Sequence, residues 1–538
     1  MGNTIRSVVI LGGGSAGWMT ATYLSKALQG SVKITLIEAP GIPKLGVGEA
    51  TVPNLQRVFF DYLGIDEDDW MRACNASYKI GVKFINWRTT GESSLDSRPL
   101  RGSDYPDHFY HPFGLLPTPD GIPLSHYWWL REHADQLGKP FDYSCFVEPA
   151  LMDANRSPRR SSGERVTNYA WHLDAHLLAD YLRDFAVNGQ GVNHVKAEVS
   201  DVRVDERGYI TGLETKCGQE HVGDLYIDCS GFRGILINKA LGEPFIDMGS
   251  QLLCDRAVAT TVPYDSDEPV IEPFTSAVAM RHGWTWKIPM QHRIGSGYVY
   301  SSEFASQDDA TDEFCRLWDL DPNEVNLNHI RFRVGRNRRA WVNNCVSIGA
   351  SSCFLEPLES TGLYFTYAAV YLLAKHFPSR DFDPVIVNEF NQEVVEMFDE
   401  TKDFIQSHFF LSPRDDTEFW KAVKNIDLPP SIEKKIRRYQ AGIPINPPST
   451  DEGNYYGNFE AEFRNFWTNG SYYSIFTGLD LLPERPLPIL EYKRRSVAEA
   501  EVLFDQIEQR QQHLVRSQPS AGEYLRTRVA QAGSVSPR

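Results

Sequence analysis

Several kinds of segment are missing from this chain of 538 residues, and each absence narrows what it can be. No apolar run approaches the roughly 18 residues that a bilayer-crossing helix needs, so no membrane span is expected. Met1–Ile10 lacks a basic head followed by a long apolar stretch. Its short run Val8–Leu11 enters glycines directly, which reads as strand and turn rather than secretion signal. The expected compartment is the cytoplasm. Cysteine is sparse: eight residues, scattered singly, with no CxxC pair and no zinc spacing. Neither a disulfide framework nor a metal site is expected. Positive charge is short too, with 54 Lys+Arg against 71 Asp+Glu and a net charge of −17. Such a field repels a phosphate backbone and argues against nucleic acid as a partner. There is no internal repeat. What the chain has in quantity is apolar matter, 42% of its residues, including 12 Trp, 24 Tyr and 29 Phe. That can fill a large core, and it can also build a pocket of ring faces.

The first forty residues read as a βαβ unit. Ile5–Leu11 is β-rich, Ala16–Leu28 has helical spacing, and Val32–Ile37 is a second β run ending in Glu38. Between strand and helix lies Gly12-Gly13-Gly14-Ser15-Ala16-Gly17, a GxGxxG fingerprint. Gly12 allows the tight turn, Gly14 lets backbone approach a pyrophosphate, and Gly17 lets helix and strand pack closely. Glu38, 21 residues beyond Gly17, is placed to bind ribose hydroxyls. The segment 80–165 is rich in Pro, His and aromatics and reads as irregular insertion with short strands. β patterning returns at Val195–Val204, Leu225–Cys229 and Ala257–Tyr300. From about residue 363 the pattern is mostly helical, with Pro-rich breaks at Leu428–Ser431 and Ile443–Ser449.

Later motifs separate FAD from NAD. Asp224–Gly231 and Cys345–Ala350 resemble the second and riboflavin-side strands of FAD-dependent monooxygenases. Only one GxGxxG is present, so no second nucleotide fold for NADPH is apparent and reduced flavin has to arrive from elsewhere. Gly283-Trp284-Thr285-Trp286-Lys287-Ile288-Pro289 is the WxWxIP motif of flavin-dependent halogenases. Gly46–Thr51 is similar to their flavin strap, and Leu355–Gly362 to their chloride and flavin loop. The likeness covers essentially the whole chain and is strongest to the halogenases that act on carbon 6 or 7 of free tryptophan.

That resemblance implies an α/β fold: an FAD-binding Rossmann-like body of the flavin monooxygenase type with a largely helical substrate-binding module. The body would be residues 1–380, carrying the inserted segment 80–165; residues 381–538 would close the tryptophan site. FAD, supplied as FADH2 by a separate NAD(P)H-dependent flavin reductase, would be held by Gly12, Gly14, Ala16, Gly17, Glu38, Ala39, Gly48, Glu49, Val199, Ala350 and Leu363. In the family, reduced flavin and O2 form a flavin hydroperoxide, and chloride attacks it to give hypochlorous acid. Thr361 and Gly362 match the positions whose backbone amides hold chloride. The resemblance also implies a homodimer and L-tryptophan as substrate.

Two residues stand for the chemistry. In Tyr78–Phe84, alternation sets Lys79, Gly81 and Lys83 on one face, and pattern alone makes Lys79 a solvated lysine. The resemblance instead makes it the family's functional lysine, hydrogen-bonding hypochlorous acid or carrying chlorine as a chloramine. Lys83 is its natural control. Glu359 matches the glutamate that stabilises the cationic ring and takes its proton; read without that likeness, it is a loop carboxylate paired with an arginine of 331–339. Ser360 supports the reacting centre.

For the indole, His111 and Phe113 match sandwich residues. Phe459, Phe463, Phe466 and Trp467 fall on one helical face, which core packing alone explains. The resemblance assigns Trp467 to stacking, Phe466 to the ring edge, Glu462 to the indole N–H or amino group, and Tyr455 and Tyr456 to the amino-acid backbone. Val52, Val82, Gly470 and Ser471 look more like carbon-6 than carbon-7 members. Chlorination at carbon 7 and a single-component FAD hydroxylase are the alternatives, with a non-enzymatic flavin-fold escort behind them.

Overall fold

Ser7–Leu11 is apolar along nearly its whole length because both of its faces are covered. It lies inside a six-stranded sheet whose order is Trp341–Val342, Cys345–Ser347, Leu225–Asp228, Ser7–Leu11, Lys33–Glu38, Asn193–Lys196. All neighbours are parallel except the first pair. Continuous rather than alternating burial is the mark of such a sheet. The computed structural model describes residues 3–41, 48–100, 103–133, 139–446 and 466–529. The helix Ser15–Ala27 crosses over from Ser7–Leu11 to Lys33–Glu38 and packs against the helices Ala175–Gln190 and Gly362–Lys375.

A second, mainly antiparallel sheet of seven strands holds the WxWxIP motif. Its order is Asn328–Arg331, Arg256–Pro263, Arg293–Tyr300, Gly283–Pro289, Thr275–Ala279, Gly81–Ile85, His108–Pro112. Within it Val82 stands opposite His111 and Phe84 opposite Phe109. A small antiparallel sheet joins Glu49–Ala50, Ala170–Leu173 and Ser77–Lys79. It ties the strap to the lysine strand.

Three sequence expectations change. Tyr78–Phe84 is not one strand: Ile80 leaves the small sheet by donating to Pro273 and accepting from Phe113, and the large sheet starts at Gly81. Lys79 and Lys83 therefore do not share a face. Val195–Val204 is likewise two strands, Asn193–Lys196 and Val199–Val204. Ala197 makes the last bond to Glu38, and the chain then turns to a separate three-stranded sheet. The segment 80–165 contains the helices Leu124–His133, Phe141–Cys145 and Glu148–Asp153. Helices this short are held by tertiary packing and leave little periodicity to read.

The helix Pro384–Leu411 begins on an Asp383 cap with proline at its first position. Its apolar stripe, Phe390, Val394, Phe398, Ile405 and neighbours, is buried, and one contiguous core runs from Ile5 to Val529. That stripe packs on the helix Gly362–Lys375 and on Trp341, through Phe398 against Phe365 and Phe390 against Trp341, and the last turns of the helix bring His408 to Glu359 on the loop before it. No helix among the described residues is long and apolar enough to cross a membrane.

Candidate active site

The glycine turn sits at the carboxyl ends of the parallel strands, where ligands bind in such sheets. Gly12 has φ +126°, and a Cβ there would lie 2.2 Å from the Cys229 carbonyl oxygen. A Cβ on Gly17 would lie 1.9 Å from the Gly12 carbonyl oxygen, so helix and turn touch backbone to backbone. At Gly14 the same test meets nothing within 4 Å. No side chain caps the helix Ser15–Ala27, which leaves first-turn amides unspent above that open space. A dinucleotide pyrophosphate fits these features. Glu38 ends its strand beside the turn and bonds His194 Nε2 at 2.9 Å. Ala39 follows it, half-buried, and Val199 opens the strand beyond Ala197. The turn Gly349–Ser351, which contains Ala350, packs on the same helix: a Cβ at Gly349 would lie 2.7 Å from Ala16 Cβ.

The strap and the loop Leu355–Gly362 meet. Gly48, at φ +90°, faces Ile288 and Met290 at the end of the WxWxIP strand. Glu49 stands over Gly362, where a Cβ would lie 2.9 Å from its Oε1. Burial raises the Glu49 carboxyl to about 7, against the pull of Lys79. Thr361 is the N-terminal boundary of the helix Gly362–Lys375, which has no side-chain cap. Its amides, including those of Gly362 and Leu363, face an anion-favouring helix end. Trp284 and Trp286 are both buried, and Trp284 Nε1 donates to Glu356 Oε2 at 2.6 Å.

Lys79 is fully buried, not solvated. The strand break at Ile80 is the reason: it lets Lys79 point inward while Lys83 points toward Asp153, 3.9 Å away. Lys79 Nζ donates to Ser360 Oγ at 2.6 Å and to the Thr51 carbonyl at 3.1 Å, and lies 4.9 Å from the Phe113 ring centre. Burial lowers the ammonium to about 7, although Glu359 and Glu49 both favour its charged form. Ser360 takes a left-handed backbone at φ +61°, uncommon for a residue with a side chain. The Lys79 bond and its own amide, donating to the Pro357 carbonyl, fix it there.

Glu359 is buried and gripped on both oxygens. His111 Nδ1 lies 2.9 Å from Oε2, and His408 Nε2 lies 2.8 Å from Oε1. Burial alone would raise the carboxyl, but His111 and His408 hold it down to about 2. No arginine pairs with Glu359 among the described residues: its oxygens are taken by the two histidines, while Arg336 pairs with Asp399, Arg338 and Arg339 with Glu243, and Arg333 bonds Asn238.

Rings surround this pair. His111 lies 6.5 Å from Phe113 and 6.1 Å from Trp467. Trp467 stacks on Phe404 at 4.1 Å, and Phe466 stacks on Tyr364 at 4.1 Å. Trp467 Nε1 is buried with no hydrogen-bond partner among the described residues. Val82 stands opposite His111, Val52 follows the Thr51 that Lys79 bonds, and Gly470 packs near Leu116 and Phe146. Ser471 Nα is capped by Thr468. Tyr455, Tyr456 and Glu462, with Phe459 and Phe463, lie outside the described residues, as do Gly46 and Val47 of the strap.

Sequence reasoning missed His408 and Phe404. They lie more than forty residues from Glu359 on a helix whose pattern reads as ordinary core. The only available signal is a histidine on the buried stripe of that helix, and such a histidine is more often a satisfied core residue.

Comparison with known proteins closes the description. A family model described as tryptophan halogenase matches residues 7–494. The chain is 60% identical over 526 residues to tryptophan 6-halogenase ThaL of Streptomyces albogriseolus, covering 98% of this chain and 99% of that one. It is 57% identical over 527 residues to tryptophan 7-halogenase RebH of Lentzea aerocolonigenes, again covering 98% and 99%. Its fold matches the crystal structure of tryptophan 6-halogenase SttH from Streptomyces toxytricini with a TM-score of 0.85 at 37% identity, covering 97% of this chain and 99% of that one. Glycine turn, strap, WxWxIP strand and loop thus occur together in a chain that belongs to the tryptophan halogenase family.

Proposed function

We propose that this protein is a two-component, FADH2-dependent halogenase that places chlorine on carbon 6 of the indole ring of L-tryptophan. The observation that carries the reading is Lys79: an amine sealed from solvent, bonded to Ser360, and set beside Glu359 in a ring-lined site. The residues from Gly12 to Gly17, with Glu38 and Ala350, would hold FAD, and the amides at Thr361 and Gly362 would hold chloride. Bound reduced flavin supplies, with O2, the oxidising equivalent that turns chloride into electrophilic chlorine.

The rest belongs to the chain. With its ammonium lowered to about 7, Lys79 is present in both forms near neutrality. The ammonium can hydrogen-bond hypochlorous acid at the ring. The free amine can instead take its chlorine as a chloramine, releasing water. Glu359, held ionised, stabilises the cationic ring and takes the proton from the chlorinated carbon. His111, Phe113, Phe466 and Trp467 orient the indole, and burial keeps water from the oxidant. A separate flavin reductase supplies the reduced cofactor, since the chain carries a single dinucleotide fingerprint. The carbon-6 assignment draws on Val52, Val82, Gly470 and Ser471 and on the likeness to ThaL.

The test is incubation with a flavin reductase, NADH, FAD, chloride and L-tryptophan in air, with the product assigned by proton NMR. The expected product is 6-chlorotryptophan. The 7-chloro isomer would overturn the ring position. Hydroxylation driven by NADPH without a reductase would replace the halogenase reading with that of a single-component hydroxylase.

A further inference from the structure

The grip on Glu359 fixes a proton count. His408 Nδ1 lies 2.8 Å from the Phe404 carbonyl oxygen, and its Nε2 lies 2.8 Å from Glu359 Oε1. A carbonyl only accepts, so Nδ1 carries a hydrogen. The other contact then needs a hydrogen of its own, either on Nε2 or on Oε1. The pair thus holds one proton more than a neutral imidazole and a bare carboxylate. The surroundings decide where it sits. Glu359 Oε2 receives a second imidazole, His111, and Lys79, which bonds Ser360 and the Thr51 carbonyl, interacts with the carboxylate electrostatically. Around His408 the strand Gly81–Ile85 contributes the Phe84 ring and its own helix contributes Phe404; among the described residues Glu359 is the one charged group bonded to it. Donors crowd the carboxylate, and acceptors flank the imidazole.

We propose that His408 is a buried imidazolium, the fixed counter-charge that keeps Glu359 ionised and oriented, and that it is a positioning residue rather than the route by which the ring proton leaves. Its consequence for turnover rests on the reading above. When the chlorinated carbon loses hydrogen, the C–H electron pair returns to the ring and the proton goes to the Glu359 carboxylate. Oε1 already holds the Nε2 hydrogen of His408. Beyond it, Nδ1 is closed by a carbonyl that takes no proton. His408 therefore cannot carry the departing proton onward, which leaves His111, on Oε2, as the other imidazole bonded to the carboxylate.

The decisive measurement uses the resting protein. With 15N-labelled histidine, His408 is identified as the resonance absent from His408→Gln. At neutral pH both of its nitrogens are expected in the protonated range, and Glu359→Gln is expected to return it to a neutral tautomer. A neutral His408 beside a protonated Glu359 in the unsubstituted protein would overturn the proposal, whatever reaction the enzyme performs. Kinetics give the second arm. His408→Gln keeps a hydrogen-bond donor without charge, and His408→Phe keeps neither. If charge is what matters, both variants lose about a hundredfold in kcat, with KM for tryptophan nearly unchanged. Wild-type turnover in His408→Gln would overturn the charge role. Absence of chlorination alongside the imidazolium signature would instead count against the proposed reaction alone.

Discussion

Glu356 and Glu359 stand three residues apart on one loop and are both out of solvent, yet the protein drives their carboxyls in opposite directions. Burial raises each of them. At Glu359, His111 and His408 overturn that effect and hold the carboxyl down to about 2. At Glu356 the partner is the Trp284 N–H, and the carboxyl is pushed up to about 8. Its second oxygen has no hydrogen-bond partner among the described residues. A buried carboxyl left to itself becomes a neutral acid; hydrogen-bond donors and nearby positive charge are what keep it ionised. Pairs of carboxyls pushed apart in this way mark a division of roles. Glu359 is held ionised, as the base proposed above must be. Glu356 is built to tie the WxWxIP strand to the loop without carrying charge.

The strongest way to break that division is substitution at the base. Glu359→Gln is expected to lose about 10²–10⁴-fold in chlorination, while flavin binding, read by fluorescence quenching, stays unchanged. Lys79→Ala should lose chlorination to a similar extent. Full activity in either variant would remove that residue from the mechanism. Glu356→Gln preserves shape and an acceptor for Trp284, so most of its turnover should survive. Equal losses at 356 and 359 would erase the contrast.

A smaller effect concerns stability. Glu356 has a folded value near 8 against an ordinary 4.5. Between those values the folded protein holds a proton that the unfolded chain releases. Stability from this group therefore falls as pH rises, by about 1.4 kcal/mol per unit. Glu356→Gln removes that slope. Urea midpoints of the two proteins should diverge from about pH 5 to about pH 8, with the variant gaining. Glu359 acts with the opposite sign, losing stability as pH falls from 4.5 toward 2. A constant difference between wild type and Glu356→Gln across that window would show that Glu356 is ionised in the fold.

How much of this was readable in sequence depends on whether a residue's role is local. The βαβ unit was legible because Gly12, Gly14, Gly17 and Glu38 act through backbone geometry within one short stretch. The loop Leu355–Gly362 was legible as a motif. The burial of Lys79 was not, because it hangs on Ile80 changing sheets, and Ile80 looks like any strand residue. His408 was not, since a histidine on an apolar helix stripe acquires meaning only when tertiary packing brings Glu359 to it. The left-handed Ser360 leaves no trace in composition either.

The last contrast is between Lys79 and Lys83, four positions apart. Read as one strand they would be equivalents; across the break at Ile80 they belong to different sheets. Lys83 keeps partial exposure, 3.9 Å from Asp153 and above the Tyr110 and Phe274 rings. Asp153 is the more exposed partner and keeps the Tyr110 and Tyr143 hydroxyls when the amine is lost, so the pair contributes on the order of 1 kcal/mol. Lys83→Met, which retains the apolar stem, should therefore leave chlorination within about twofold and shift stability by no more than that amount. A collapse of turnover in Lys83→Met with folding intact would show that the two lysines share an environment after all. The reactive amine would then have to be sought on both sides of the strand break, and the isolation of Lys79 could no longer explain why its ammonium is lowered.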